Sequence, residues 1–343
     1  MTSLKKVCIA IFGMGRIGQV HLENAVSNPR VWVKYIMTTN YEKTLQIKQR
    51  YHIDDSVEIV LSSDVGKILE DKSVEMVVIC TSTSHHVEII QASCKAGKAV
   101  FCEKPIALTL DDVTSCFASA RENGQLLFCA YNRRFDPSIR DLYNRVKSGE
   151  IKDIISIRST NSDQQCPPMS YLKNSGGLFF DCATHDLDII CWIMGESPST
   201  VYCQAYALNP DVAAVGDYDT AGIMMQFSGG AIAYVDLGRE AIYGYDQRLE
   251  VFGTAGMLQT LNLYPTSVQS HDHKGHSSGQ IYQAWLSRYK ESYRLEFEHF
   301  LDVYQGIEPE LEVSEEACIL AIKLSMCCEE SLHSGGPVTL EME

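Results

Sequence analysis

Positive charge is scarce in this sequence. Its 343 residues carry 29 Lys plus Arg against 44 Asp plus Glu, a formal net charge of -15. Nucleic acids and anionic membranes are bound through basic faces, so neither is expected as a main partner, and a small neutral or polar ligand suits the chain better. No run approaches the roughly 18 uncharged apolar residues of a membrane span, and the first six residues lack the apolar stretch of a signal peptide. A cytoplasmic location is the expectation. No Cys-x-x-Cys pair or zinc-type spacing occurs among the 13 cysteines. Cys8, Cys80, Cys102 and Cys129 sit inside apolar runs, where a reduced thiol behaves as a small hydrophobe. Internal repeats, low-complexity tracts and a Pro/Ser-rich linker are also missing.

What is present points to two ordinary globular domains. At roughly 150 residues per domain the length allows two, and 45% hydrophobic with 21% charged residues gives each enough apolar material for a core. Residues 5–12 form a Val/Ile/Ala-rich strand of the kind covered on both faces. It runs into Gly13-Met14-Gly15-Arg16-Ile17-Gly18 and then a helical pattern. Strand, glycines and helix come in the order of a dinucleotide-binding turn: Gly13 for the tight turn, Gly15 for close approach of a pyrophosphate, Gly18 for helix against strand.

A second strand, 31–37, ends at Thr38, where an acidic residue would normally hold the ribose of NAD. With Arg16 and Lys43 close in sequence, NADP stays open beside NAD; both cations also read as solvated helix charges. Strand and helix keep alternating through 57–61, 76–80 and 99–102. Thr81-Ser82-Thr83-Ser84-His85-His86 opens a helix ending at Gly97, and a sixth strand spans 125–131. The sum is an N-terminal Rossmann domain, a doubly wound parallel sheet over residues 1–130.

Phe101-Cys102-Glu103-Lys104-Pro105 sets a lysine just past a strand's carboxyl end, where open α/β sheets carry reactive groups. The residues alone leave open whether Lys104 is catalytic or a surface lysine. From 131 to 343 the pattern changes. β-type segments at 154–160, 200–207, 219–227, 231–237, 247–252 and 257–261, with terminal helices at 289–304 and 314–331, predict an α+β domain. Its open, mostly antiparallel sheet would be covered by helices on one face. Ser175-Gly176-Gly177 opens a helix expected to carry Asp181 and His185 four apart on one face, with Asp186 and Asp188, and to end at Gly195. A carboxylate one turn from an imidazole is an acid/base unit, or else a cap and a buried histidine. His271, Asp272, His273 and His276 fall in a Ser/Gly-rich stretch read as a solvated loop, so no metal is expected. Tyr282, Trp285 and Tyr289 read as packing residues.

Six motifs in order, GMGRIG, TSTSHH, FCEKP, AYNRRFDP, SGGLFFDCATHDLD and YGYDQRLEVFG, span nearly the whole chain. Together they resemble the glucose-fructose oxidoreductase and inositol dehydrogenase family, with inositol 2-dehydrogenases nearest. The resemblance implies an NAD(P)-dependent enzyme oxidising a secondary hydroxyl of a cyclic polyol, with Lys104, Asp181 and His185 as its catalytic set. It implies coenzyme contacts from the Gly13–Gly18 loop including Arg16 and Ile17, and from Thr38, Thr81, His86 and Glu103. Arg133, Asn161, Tyr243 and Tyr293 would line the polyol site, and a homo-oligomer, a tetramer, would form through the second sheet. NAD-using inositol dehydrogenases commonly carry aspartate where Thr38 stands, and 161–168 departs from the pattern. Alternatives are a dehydrogenase or reductase of an anhydrosugar, aldose or diol, and a non-catalytic nucleotide-binding regulator.

Overall fold

The computed structural model describes residues 5–340. Its first elements are β1 (Val7–Phe12), α1 (Arg16–Ser27), β2 (Val31–Thr38), α2 (Tyr41–Arg50), β3 (Glu58–Leu61), α3 (Gly66–Glu70), β4 (Met76–Ile79), α4 (His86–Lys95), β5 (Ala99–Glu103), α5 (Leu110–Glu122) and β6 (Leu127–Ala130). There follow α6 (Pro137–Lys147), β7 (Ile154–Ser162), α7 (Met169–Leu172), a π-helical turn (Phe179–Ala183), α8 (Thr184–Met194), β8 (Thr200–Tyr206), α9 (Pro210–Ala214), β9 (Thr220–Gln226) and β10 (Ile232–Gly238). The chain continues through β11 (Asp246–Gly253), β12 (Gly256–Thr260), β13 (Gln269–Asp272), β14 (Gly275–Ser278), α10 (Trp285–Arg288), α11 (Lys290–Tyr304), α12 (Glu315–Ser334) and β15 (Val338–Thr339).

Two compact units result, one comprising the chain up to Asn132 with Glu291–Ile319, the other Arg133–Lys290 with Leu320 onward. The first boundary lies two residues from the expected 130. The return of Glu291–Ile319 to the first unit differs from the expected division, and its cause is aromatic packing. Phe297 and Phe300 of α11 meet Phe101 of β5 edge-on, with centroids 5.9 and 5.7 Å apart. Arg30 adds ion pairs with Glu298 and Asp302.

In the first unit six strands pair in parallel in the order β3-β2-β1-β4-β5-β6. All six residues of β1 and all four of β4 are buried, as strands covered on both faces require. The strand order reverses between β1 and β4, which opens a crevice at their carboxyl ends. Register aligns Phe12 with Ile79 and Ile79 with Cys102. The glycine loop, Thr81 and the Glu103-Lys104 turn therefore leave the sheet along one edge.

The second unit is built on a seven-stranded sheet, β12-β11-β7-β10-β9-β8-β15, antiparallel except for β7 with β10. Burial alternates strictly along β9 and β10, so one face is covered and the other open. The expected Ser/Gly-rich loop is a short exposed hairpin, β13-β14, in which His271 and His276 are cross-strand partners. Its alternating polar residues carry no apolar face for sequence patterning to detect.

Candidate active site

Steric demands separate the glycines of the first loop. Gly13 has φ +94°, and a Cβ there would lie 2.7 Å from the Cys80 carbonyl oxygen; one at Gly18 would lie 2.0 Å from the Gly13 oxygen. Both are required by protein against protein. A Cβ on Gly15, the residue capping α1, meets nothing within 4 Å. That position is an open cradle before a helix N-terminus, the arrangement that receives a pyrophosphate. Arg16 is exposed in the first turn beside it, with Ile17 half-buried behind. The buried Oγ1 of Thr81 has no hydrogen-bond partner among the described residues. Open glycine, helix terminus and orphaned hydroxyl along one strand edge fit a dinucleotide. Thr38 is engaged otherwise: it is buried, and its Oγ1 accepts from Asn40 N at 3.1 Å and sits 2.9 Å from Thr44 Oγ1.

The next turn is tied down on both sides of Lys104. Glu103, at the end of β5, lies 2.7 Å from Nε2 of the buried His21 on α1. Behind the half-buried Lys104, joined to Pro105 by a cis peptide, the Pro105 carbonyl is 2.9 Å from His86 Nδ1. His86 Nε2 lies 3.2 Å from Thr81 O. Burial pushes the His86 pKa down, so the ring is neutral and its single N–H is assigned to the shorter Pro105 contact. His86 thus ties the Pro105 end of the Lys104 corner to the start of α4.

In the second unit Asp181 and His185 occupy successive turns, but not of one α-helix as expected. Asp181 lies in the π-helical turn and His185 in the first turn of α8. Wide π turns recur at functional sites because they re-aim side chains. Asp181 Oδ1 accepts from Tyr171 at 2.9 Å, and Oδ2 lies 3.6 Å from Arg239 Nη1. Arg239 is wholly buried and also donates to Asp217 at 2.8 Å and to the Tyr218 carbonyl at 3.0 Å. Burial opposes its charge, yet Asp217 and Asp181 hold the guanidinium pKa above its usual value. Asp217 accepts the Leu178 amide at 2.8 Å as well, so one acid fixes both the cation and the entry to the π turn. Sequence reasoning missed Tyr171, Asp217 and Arg239. An arginine two residues past a strand core carries no local sign that it will be buried.

The expected polyol residues separate into three places. Arg133 and Asn161 converge on Asp186 of α8, at 3.1 and 2.6 Å, joined by Ser159 at 2.6 Å; Gln247 extends the network to Asn161 at 2.6 Å. A water-sized cavity of about 20 Å³ borders this network. Tyr243 stands apart, 57% exposed, donating to Asp246 at 2.6 Å. Tyr293 belongs to the first unit, buried with its ring edge-on to His21.

Comparison with known proteins now decides the family. A model described as an oxidoreductase family with an NAD-binding Rossmann fold matches residues 7–131, and one for the GFO/IDH/MocA C-terminal domain matches 139–259. The myo-inositol 2-dehydrogenase of Thermotoga maritima is 34% identical over 334 residues, 97% of this chain and 98% of its own length. The chain belongs to the GFO/IDH/MocA oxidoreductase family. Among solved members, a putative myo-inositol dehydrogenase from Sinorhizobium meliloti superposes with a TM-score of 0.92 at 29% identity, covering 98% of this chain and all of its own. A Lactobacillus casei scyllo-inositol dehydrogenase, solved with NAD(H) and scyllo-inositol bound, gives 0.88 at 26% identity over 98% of this chain and 99% of its own. Membership makes this GFO/IDH/MocA protein an oxidoreductase with an NAD-binding Rossmann domain. No helix among the described residues is long and apolar enough to cross a membrane.

Proposed function

We propose that this protein is a cytoplasmic NAD-dependent dehydrogenase that oxidises a secondary ring hydroxyl of an inositol or similar cyclic polyol. The observation that carries the reading is likeness over nearly the full chain to inositol dehydrogenases, ones named for myo- and for scyllo-inositol among them. Gly13, Gly15, Arg16, Ile17, Gly18 and Thr81 would hold the coenzyme. NAD, when bound, supplies the hydride acceptor.

The chain must supply everything else. As a C–H bond gives up hydride, the hydroxyl must lose its proton, and an imidazole titrates nearest the working pH. His185 is assigned that proton. Asp181, oriented by Tyr171 and Arg239, favours the imidazolium that results. Lys104 donates an N–H to the reacting oxygen and stabilises the negative charge that develops there. The Arg133, Asn161 and Tyr243 positions are assigned to the polyol side on family resemblance, Arg133 and Asn161 through the Asp186 network. Coenzyme reduction across inositol isomers, aldoses and anhydrosugars tests the substrate class. Turnover on one inositol isomer far above the sugars is expected; fastest turnover on an aldose or anhydrosugar would replace the polyol.

NADP is proposed as a second accepted coenzyme. Thr38 places no negative charge at the end of β2, and exposed Arg16 opens α1 beside the glycine loop. Thr38→Asp should move preference towards NAD, read from the ratio of the two dissociation constants. Native binding of NAD at least a hundredfold tighter than NADP, about 2.7 kcal/mol, would remove the argument.

Self-association is proposed through the open face of the second sheet. Ile155 of β7, Tyr234 of β10, Met224 of β9 and Phe252 of β11 are each at least 39% exposed, and Tyr234 pairs directly with Met224. An open sheet face with several exposed apolar side chains, here interrupted by the Arg158–Glu250 ion pair, is a surface that association can cover. Sedimentation is expected to give a tetramer at micromolar concentration; a monomer would contradict it.

A further inference from the structure

Behind the Lys104 corner, wholly within the first unit, three ionisable side chains meet in the core. His21 of α1, Glu103 of β5 and Glu296 of α11 bring their ligand-type atoms within 4.8 Å of one another. Glu296 is 0% exposed, and neither of its carboxylate oxygens has a hydrogen-bond donor among the described residues. A buried carboxylate with no donor is among the costliest arrangements a core can hold, and a second carboxylate beside it makes ionisation of both untenable. One of the two carries a proton. Glu103 already has His21 Nε2 at 2.7 Å as a hydrogen-bond partner, whereas Glu296 has none among the described residues. His21 Nδ1 has no hydrogen-bond partner among the described residues.

We propose that Glu296 is a permanently neutral carboxylic acid that donates its proton to Glu103, closing a Glu296–Glu103–His21 network that positions the β5 terminus from which Lys104 projects. Glu103 is then a brace and not a coenzyme contact. The network joins the helix behind the glycine loop, the strand before the lysine and α11 through side-chain hydrogen bonds. Burial, with Glu103 alongside, pushes the Glu296 pKa well above its usual value. Four described ionisable groups around the pair, Cys80, Cys102, His86 and Tyr293, do not relieve it. Cys80 and Cys102 are buried thiols raised by desolvation, His86 is neutral, and Tyr293 presents a ring edge to His21. None is a cation placed to take over the charge.

A carboxyl whose folded pKa is raised stabilises the fold fully below its unfolded value near 4.5 and loses that contribution as pH rises towards the folded value. Glu296→Gln keeps an N–H donor for Glu103 but has no proton to lose. The experiment compares wild type, E296Q and E296L in thermal unfolding from about pH 5 to about pH 9 and in steady-state turnover. The E296Q midpoint should gain on wild type steadily as pH rises. E296Q should hold kcat within about threefold of wild type, whereas E296L, unable to donate, should lose about tenfold or more at unchanged coenzyme KM. Parallel pH profiles for wild type and E296Q would overturn the proposal. So would equal kcat for E296Q and E296L, or a stoichiometric divalent metal in purified wild type that E296Q lacks. The turnover arm rests on the role given to Lys104 above; the unfolding arm does not, so the two readings fail separately, and it stands even if E296L does not fold.

Discussion

Replacing His185 with alanine is expected to lower turnover by on the order of 10²-fold to 10⁴-fold, the span ordinarily lost with a general base. Coenzyme affinity should hardly change, because the residues assigned to the coenzyme all belong to the first unit. Lys104→Ala should show the same separation, since the lysine stabilises charge that develops only as the hydroxyl ionises; that loss falls on kcat rather than on ground-state binding. The two variants differ in pH behaviour. Without the base, the acid limb of the turnover profile should flatten, whereas without the lysine it should persist. Steady-state kinetics with parallel coenzyme titrations checks both. Near-native turnover in either variant would make that residue structural.

A second large effect concerns the glycine loop, where two superficially equal substitutions should fail for different reasons. Gly18→Ala drives a methyl carbon to 2.0 Å from the Gly13 carbonyl oxygen, backbone that cannot move away without distorting the turn. Overpacking of this sort costs about 1–3 kcal/mol or more, so the protein should unfold at a lower temperature and bind coenzyme poorly. Gly15→Ala meets no protein atom within 4 Å and lies at φ -72°, which alanine adopts freely. Its unfolding temperature should match wild type, while NAD affinity drops about tenfold or more because the methyl takes the space a pyrophosphate needs. Calorimetric unfolding without coenzyme, followed by NAD titration, separates the two. Unchanged NAD affinity in Gly15→Ala would mean that the coenzyme does not approach this glycine.

The legible parts of the chain were those with local causes. The β1 strand, its glycines and α1 announce themselves in a stretch of about twenty residues, because a parallel strand buried on both faces is nearly all apolar and the following turn has no room for a side chain at Gly13 or Gly18. Gly195, expected to end the helix of His185, does so in the left-handed conformation. The spacing of Asp181 and His185 suggests two turns of one helix, but not the π turn that holds Asp181, since a widened turn leaves no mark in a four-residue spacing. Arg239, His21 and Glu296 were invisible as functional neighbours. Each acquires its meaning from a partner far away in sequence: Arg239 from Asp181, 58 positions earlier, and Glu296 from Glu103, 193 positions earlier. Residue type alone would have placed a charged side chain of either kind in water. The assignment of Glu291–Ile319 to the first unit was missed for the same reason, because Phe297 and Phe300 read as helix packing without indicating which sheet they pack against.

The central claim is that hydrogen bound to a ring carbon of a cyclic polyol passes to the nicotinamide. Fully carbon-deuterated inositol isomers incubated with the protein and NAD, and analysis of the coenzyme by mass spectrometry and proton NMR, test this directly. One deuterium per reduced coenzyme, at the nicotinamide C4 position and matched by one ketone in the polyol, is the predicted result. Coenzyme that binds tightly yet stays oxidised and free of deuterium with every isomer would contradict it.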